Sequence, residues 1–157
     1  MAIMRYIWLV LLAGCATIPS ELAGKHFAAI TPRTAQHSAG SSVRWGGTIA
    51  SVSSKQAETC FEVVSRPLDA SARPEEGDRT EGRFIACAAG FFDPVVYASG
   101  REVTFVGTLQ APSLGKIGGY EYLFPRLAAS TVHLWPKRQP VQYYDPAWYP
   151  PWMMGVW

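Results

Sequence analysis

From residue 42 to residue 135 the chain alternates apolar and polar side chains in short runs, each interrupted or closed by glycine or proline. Successive side chains of a strand point to opposite faces, so this period of two marks half-buried strands. The runs cover 43–52, 59–64, 83–88, 101–109 and 127–135. In the first, Gly46 and Gly47 predict a bulge or the bend of a barrel corner; Gly107 predicts another bend, and Pro125 bends the entry to the last run. The stretch 69–82 carries Pro74, Gly77 and the acidic residues Asp69, Glu75, Glu76, Asp78 and Glu81, which is the composition of a solvated loop. Residues 91–100 read as a turn and a short irregular or helical crossover. Five strands, one long loop and a crossover between the third and fourth outline an all-β fold, a small OB-like Greek-key β-barrel of five to six strands. An open β-sandwich is the alternative.

The first fifteen residues follow a different grammar. Arg5 precedes the apolar run 6–12, and Leu12-Ala13-Gly14-Cys15 then closes it, as in the charged, apolar and cleavage regions of an export signal. The run is too short to span a bilayer, which takes about 20 apolar residues. The small residues before Cys15 mark a lipobox, in which the thiol receives a diacylglyceryl group and cleavage leaves Cys15 as the acylated N-terminus. The chain is then anchored rather than spanning. Residue 16 is alanine rather than the aspartate of inner-membrane retention, which favours the outer membrane.

This division predicts a signal peptide over 1–14, a lipidated tether and approach segment over 15–40, a barrel over 41–136 and a tail over 137–157. Removing residues 1–14 leaves 143, enough for one domain with a real core. The full chain carries 14 basic and 12 acidic residues, so it lacks the cation excess that grips phosphate backbones, and no nucleic-acid partner is expected. Export places the remaining cysteines, Cys60 and Cys87, in an oxidising space. They form either one disulfide or two small buried residues in neighbouring strands.

His26, His37 and His133 show no paired ligand spacing, and no nucleophile, base and orienter stand out, so the expectation is no catalytic residue, no cofactor and no metal. Two features remain as candidate interaction surfaces. Arg44 beside Trp45, Arg83 beside Phe84, and Arg101 either line a cation and aromatic face for a small ligand or glycan, or pair with Glu62, Glu81 or Glu102 across the sheet. The tail holds Trp148, Trp152 and Trp157 among prolines that forbid a helix. Its rings either meet a membrane interface or an envelope partner, or fold back over the barrel.

Taken together, the lipobox, Val43-Arg44-Trp45-Gly46-Gly47, Glu62-Val63-Val64 with Pro67-Leu68, Gly82-Arg83-Phe84 and Phe91-Phe92-Asp93-Pro94 with Tyr97 resemble one family. Gly100-Arg101, Val103-Thr104, Gly107, Tyr122, Pro125 and His133-Leu134-Trp135 continue the match. It is that of the Slp outer-membrane lipoproteins, named for starvation-inducible lipoprotein. The resemblance implies a lipid-anchored protein in the outer membrane of a Gram-negative bacterium, its domain facing the periplasm, with a link to starvation or stress. It implies no catalytic residues, and it lends nothing to a bridge between Cys60 and Cys87. A non-enzymatic envelope module is therefore the expected function, and a periplasmic ligand-binding module the alternative.

Overall fold

The computed structural model describes residues 17–24 and 26–140. Five strands, β1 (Ser42–Ser54), β2 (Glu58–Arg66), β3 (Arg83–Ala89), β4 (Glu102–Ile117) and β5 (Tyr120–Leu134), close into a barrel in the order β1-β2-β3-β5-β4. All pairings are antiparallel except β3 with β5, which run parallel over Ile85–Ala88 and Arg126–Ala129. This is the all-β, OB-like barrel that the alternating runs predict.

Strict alternation explains where the core lies. In β2, Thr59, Phe61, Val63 and Ser65 point inward while Cys60, Glu62, Val64 and Arg66 point outward; in β3, Phe84, Ala86 and Ala88 point inward. Phe61, Phe84 and Phe105 are fully buried and touch in tilted and edge-on pairs, with centroids 5.4 and 6.0 Å apart. Burying each such ring contributes about 1.5–3 kcal/mol. The β3–β4 crossover contains turns rather than a helix, and it lays Phe92 and Tyr97 against Phe61 over one end of the barrel.

Two local expectations are corrected. Gly46 and Gly47 carry no bulge: they lie in an unbroken ladder with both β2 and β4, where β1 is shared between the two, and the register shift of β1 falls later, between Ile49 and Ser51. Close approach explains the second glycine: a Cβ on Gly47 would stand 2.0 Å from the Val64 carbonyl oxygen. Residues 112–119, read as a loop, instead extend β4 and pair with β5 into a two-stranded arm that continues past the last β1 partner, Ser42. Pro112 and Pro125 both fall in the register irregularity between Gln110 and Ser113, where the absence of an amide hydrogen costs no ladder bond.

The approach segment is packed rather than loose. It forms two short 3-10 turns, η1 (Ser20–Leu22) and η2 (Pro32–His37), and buries Leu22, Pro32 and Ala35 against the barrel. Leu22 joins Ala72 and Trp135 in a small second core, with Ile18 and Leu68 packed on it.

Candidate functional site

The residues expected to form an arginine and aromatic face do not come together. Arg44 and Trp45 are adjacent in β1 and so project to opposite sides. Trp45 is buried, with its ring edge-on to Phe84 at 5.2 Å and its indole N–H donating to the Ile30 carbonyl at 2.7 Å. Arg44 faces out, where it donates to the Leu22 carbonyl at 3.0 Å and lies 5.0 Å over the Phe27 ring. Both side chains thus fasten the approach segment to β1.

Arg83 pairs with Glu62 at 2.6 Å, the cross-strand alternative rather than a free cation. The outward residues of β2 and β3 are Glu58, Cys60, Glu62, Val64, Arg66, Arg83, Ile85 and Cys87. Cys60 and Cys87 stand directly opposite each other in the β2–β3 ladder and are joined in a disulfide. Arg126 of β5 donates to the Cys87 sulfur at 3.4 Å. Glu58 lies beside the two sulfurs, but sulfurs bonded to each other offer no thiolate to a metal ion. Cys15, Trp148, Trp152 and Trp157 lie outside the described residues.

The arrangement with most chemical potential lies at the end of the barrel where β2 and β5 finish and β4 begins. There an open depression of about 500 Å³ is lined by Arg66, Arg101, Lys137 and Arg138, with Glu102 and Trp135. Arg73, from the long β2–β3 connection, completes the cluster by pairing with Glu102 at 2.7 Å and donating to the Pro136 carbonyl. Arg138 shares Glu102 at 3.0 Å and also reaches Glu76 at 2.9 Å. Arg101 donates to the Val96 and Trp135 carbonyls, and Arg66 to the Glu75 and Gly77 carbonyls. Five cations therefore meet three carboxylates, Glu76, Glu102 and, by its charge on Arg138, Asp69, and several of the guanidinium groups bond to carbonyls that leave their charge uncompensated.

The loop that carries Arg73 is shaped from its own sequence. Asp69 Oδ1 accepts from the Ser71 amide, the Ser71 hydroxyl and the Arg73 amide at 2.6–3.0 Å. Partial burial pushes the Asp69 carboxyl up, but the Ser71 hydroxyl and the two amides outweigh that and hold it below its usual range. Ala72 between them takes a left-handed conformation at φ 67°, unfavourable for a side chain by roughly 1–2 kcal/mol. Its methyl is fully buried, and its carbonyl accepts from Thr104 Oγ1 at 2.8 Å. Thr104 in turn accepts the indole N–H of Trp135 at 2.9 Å. Loop, barrel and the start of the C-terminal segment are thus joined through Trp135.

Of the three histidines, His133 holds Glu21 at 2.8 Å, and the ring of Trp135 lies 4.3 Å from its own. His37 ends η2 and is exposed. His26 sits exposed in the approach segment. The sequence reading missed the basic depression because its cations come from four separate segments, of which only Arg101 stood out.

Comparison with known proteins adds the following. Residues 12–157 match the family described as the outer membrane lipoprotein Slp family. The chain is 33% identical over 152 residues to the uncharacterized lipoprotein YeaY of Escherichia coli K12, covering 89% of this chain and 77% of that one. It is 31% identical over 138 residues to the outer membrane protein Slp of the same organism, covering 83% and 72%. Among solved structures, a small single-stranded DNA-binding protein of Streptomyces coelicolor overlays with a TM-score of 0.39 at 16% identity, covering 60% of this chain and 94% of its own. The mitochondrial single-stranded DNA-binding protein Rim1 of S. cerevisiae overlays at 0.39 and 11% identity, covering 64% and 99%.

Proposed function

Because the chain belongs to the outer membrane lipoprotein Slp family, we propose that it is a non-enzymatic module of the cell envelope, held by acyl chains on Cys15 with its barrel facing the periplasm. The observation that carries this reading is the span of the family match, which begins inside the lipobox at residue 12 and runs through the barrel to residue 157. Two relatives bear lipoprotein or outer-membrane names. The chemistry of the anchor agrees: each buried methylene contributes about 0.8 kcal/mol, and more than one acyl chain makes membrane attachment durable.

The fold supports an interaction module over a catalyst. Arg44, Trp45, Arg83 and His133, the polar groups that sequence singles out, are spent on fastening the approach segment and the sheet. The outward face of β2 and β3 balances Glu58 and Glu62 with Arg66 and Arg83 beside a disulfide, a face without the cation surplus that a phosphate backbone calls for. The described start of the tail keeps Arg138 docked on the barrel, and the aromatic residues beyond it are the natural contact for an envelope partner. A role in starvation or stress belongs to the same proposal.

Separation of inner and outer membranes by density tests it. The wild-type chain is expected in the outer-membrane fraction, and Cys15→Ser is expected to leave it. Recovery of wild type in the soluble or inner-membrane fraction contradicts the reading. Survival of a strain lacking the protein through prolonged starvation tests the stress role, and survival equal to the parent contradicts it.

A further inference from the structure

We infer that the basic depression at the Trp135 end of the barrel rests on the membrane that holds the anchor, with Arg66, Arg101 and Lys137 facing anionic phospholipid headgroups. This rests on lipidation at Cys15 and extends that reading from attachment to orientation.

Tether length supplies the first argument. Ile18 already packs on the small core formed by Leu22, Ala72 and Trp135, and Leu22 within it is fully buried. Only Ala16 and Thr17 separate Cys15 from Ile18, and three residue steps span at most about 11 Å even when fully extended. An acylated Cys15 therefore holds this corner of the domain against the headgroups and denies the barrel free tumbling above the surface.

Charge supplies the second. Trp135, which packs on Leu22, also lines the basic depression, so the corner nearest the anchor is the one carrying five cations against the three carboxylates Glu76, Glu102 and Asp69. The chain as a whole has 14 basic and 12 acidic residues, so this surplus is local rather than general. A cation close to an anionic membrane gains roughly fivefold in binding, and the gain is screened within a Debye length. The contact requires the closeness that the short tether imposes.

Lysine labelling on vesicles tests the orientation. The mature lipidated chain is reconstituted into phosphatidylcholine vesicles and into phosphatidylcholine vesicles containing phosphatidylglycerol, and the rate of amine acylation is followed at each lysine. Lys55 in the β1–β2 turn and Lys116 near the tip of the β4–β5 arm are internal references. On the anionic vesicles Lys137 is expected to react roughly fivefold more slowly than on phosphatidylcholine, with Lys55 and Lys116 unchanged and the protection lost at high salt. Equal Lys137 rates on both vesicles overturn the inference. So does protection by inorganic phosphate on phosphatidylcholine alone, which would make the depression a site for a soluble anion. Failure of the chain to float with either vesicle would instead strike the anchor itself, and separates that failure from this one.

Discussion

His133 Nδ1 lies 2.8 Å from Glu21 Oε1, joining the last barrel strand to the short turn seven residues after the lipobox begins its final triplet, across 112 positions of sequence. With Arg44 on the Leu22 carbonyl and Trp45 on the Ile30 carbonyl, it fastens the approach segment at three points. The segment is therefore packed onto the barrel from Ile18 onward, and very few residues of chain lie between Cys15 and this packed part.

The Glu21 link gives a pH dependence. A backbone hydrogen bond at Glu21 and the His133 side chain hold this carboxyl below its usual range. A carboxyl depressed in the folded state stabilises it fully above the ordinary carboxylate pKa, and that contribution fades as pH falls through the lowered value. Amide protection over residues 17–24, taken relative to the intrinsic exchange rate at each pH, is expected to fall on acidification below the ordinary range. Glu21→Gln should exchange faster than wild type at neutral pH and lose the part of the acid response that Glu21 carries; an acid response identical to wild type would remove Glu21 from the account.

Trp45→Phe should destabilise the domain by about 2 kcal/mol, since it orphans the Ile30 carbonyl and trims a ring packed on Phe84. The denaturant midpoint measures this. A Trp45 exposed as a ligand platform would instead tolerate the change.

The disulfide between Cys60 and Cys87 closes a loop with a sequence separation of 27. Loop-closure entropy assigns it about 3.5 kcal/mol, so the double variant Cys60→Ala, Cys87→Ala should unfold at lower denaturant by that amount. An unchanged midpoint would mean the thiols are unpaired in the cell.

Gly47→Ala would set a methyl 2.0 Å from the Val64 carbonyl oxygen, forcing β1 and β2 apart. A loss of about 3 kcal/mol is expected in thermal or denaturant unfolding. A tolerated alanine would contradict the close strand approach.

Much of the barrel is legible in sequence because Phe61 and Val63, or Phe84 and Ala86, alternate cleanly with outward neighbours. Trp45 was legible too: its adjacency to Arg44 in a strand already places the two on opposite faces, so they cannot share one surface. The β4–β5 arm was hidden because Pro112, Pro125, Gly115 and the Gly118-Gly119 pair read as breakers. In the fold the prolines sit in a register shift, and Gly118-Gly119 is the turn joining Ile117 to Tyr120. The basic depression had no linear signal at all, since Arg66, Arg73, Arg101, Lys137 and Arg138 converge only once the barrel closes.

If this barrel works from a lipid anchor, Cys15 is the residue that bears it. Mass spectrometry of the N-terminal peptide of the mature protein reads this out. A peptide beginning at Cys15 and carrying the mass of a diacylglyceryl group with an added acyl chain is expected. A mature chain that begins elsewhere, or an unmodified Cys15, would contradict it.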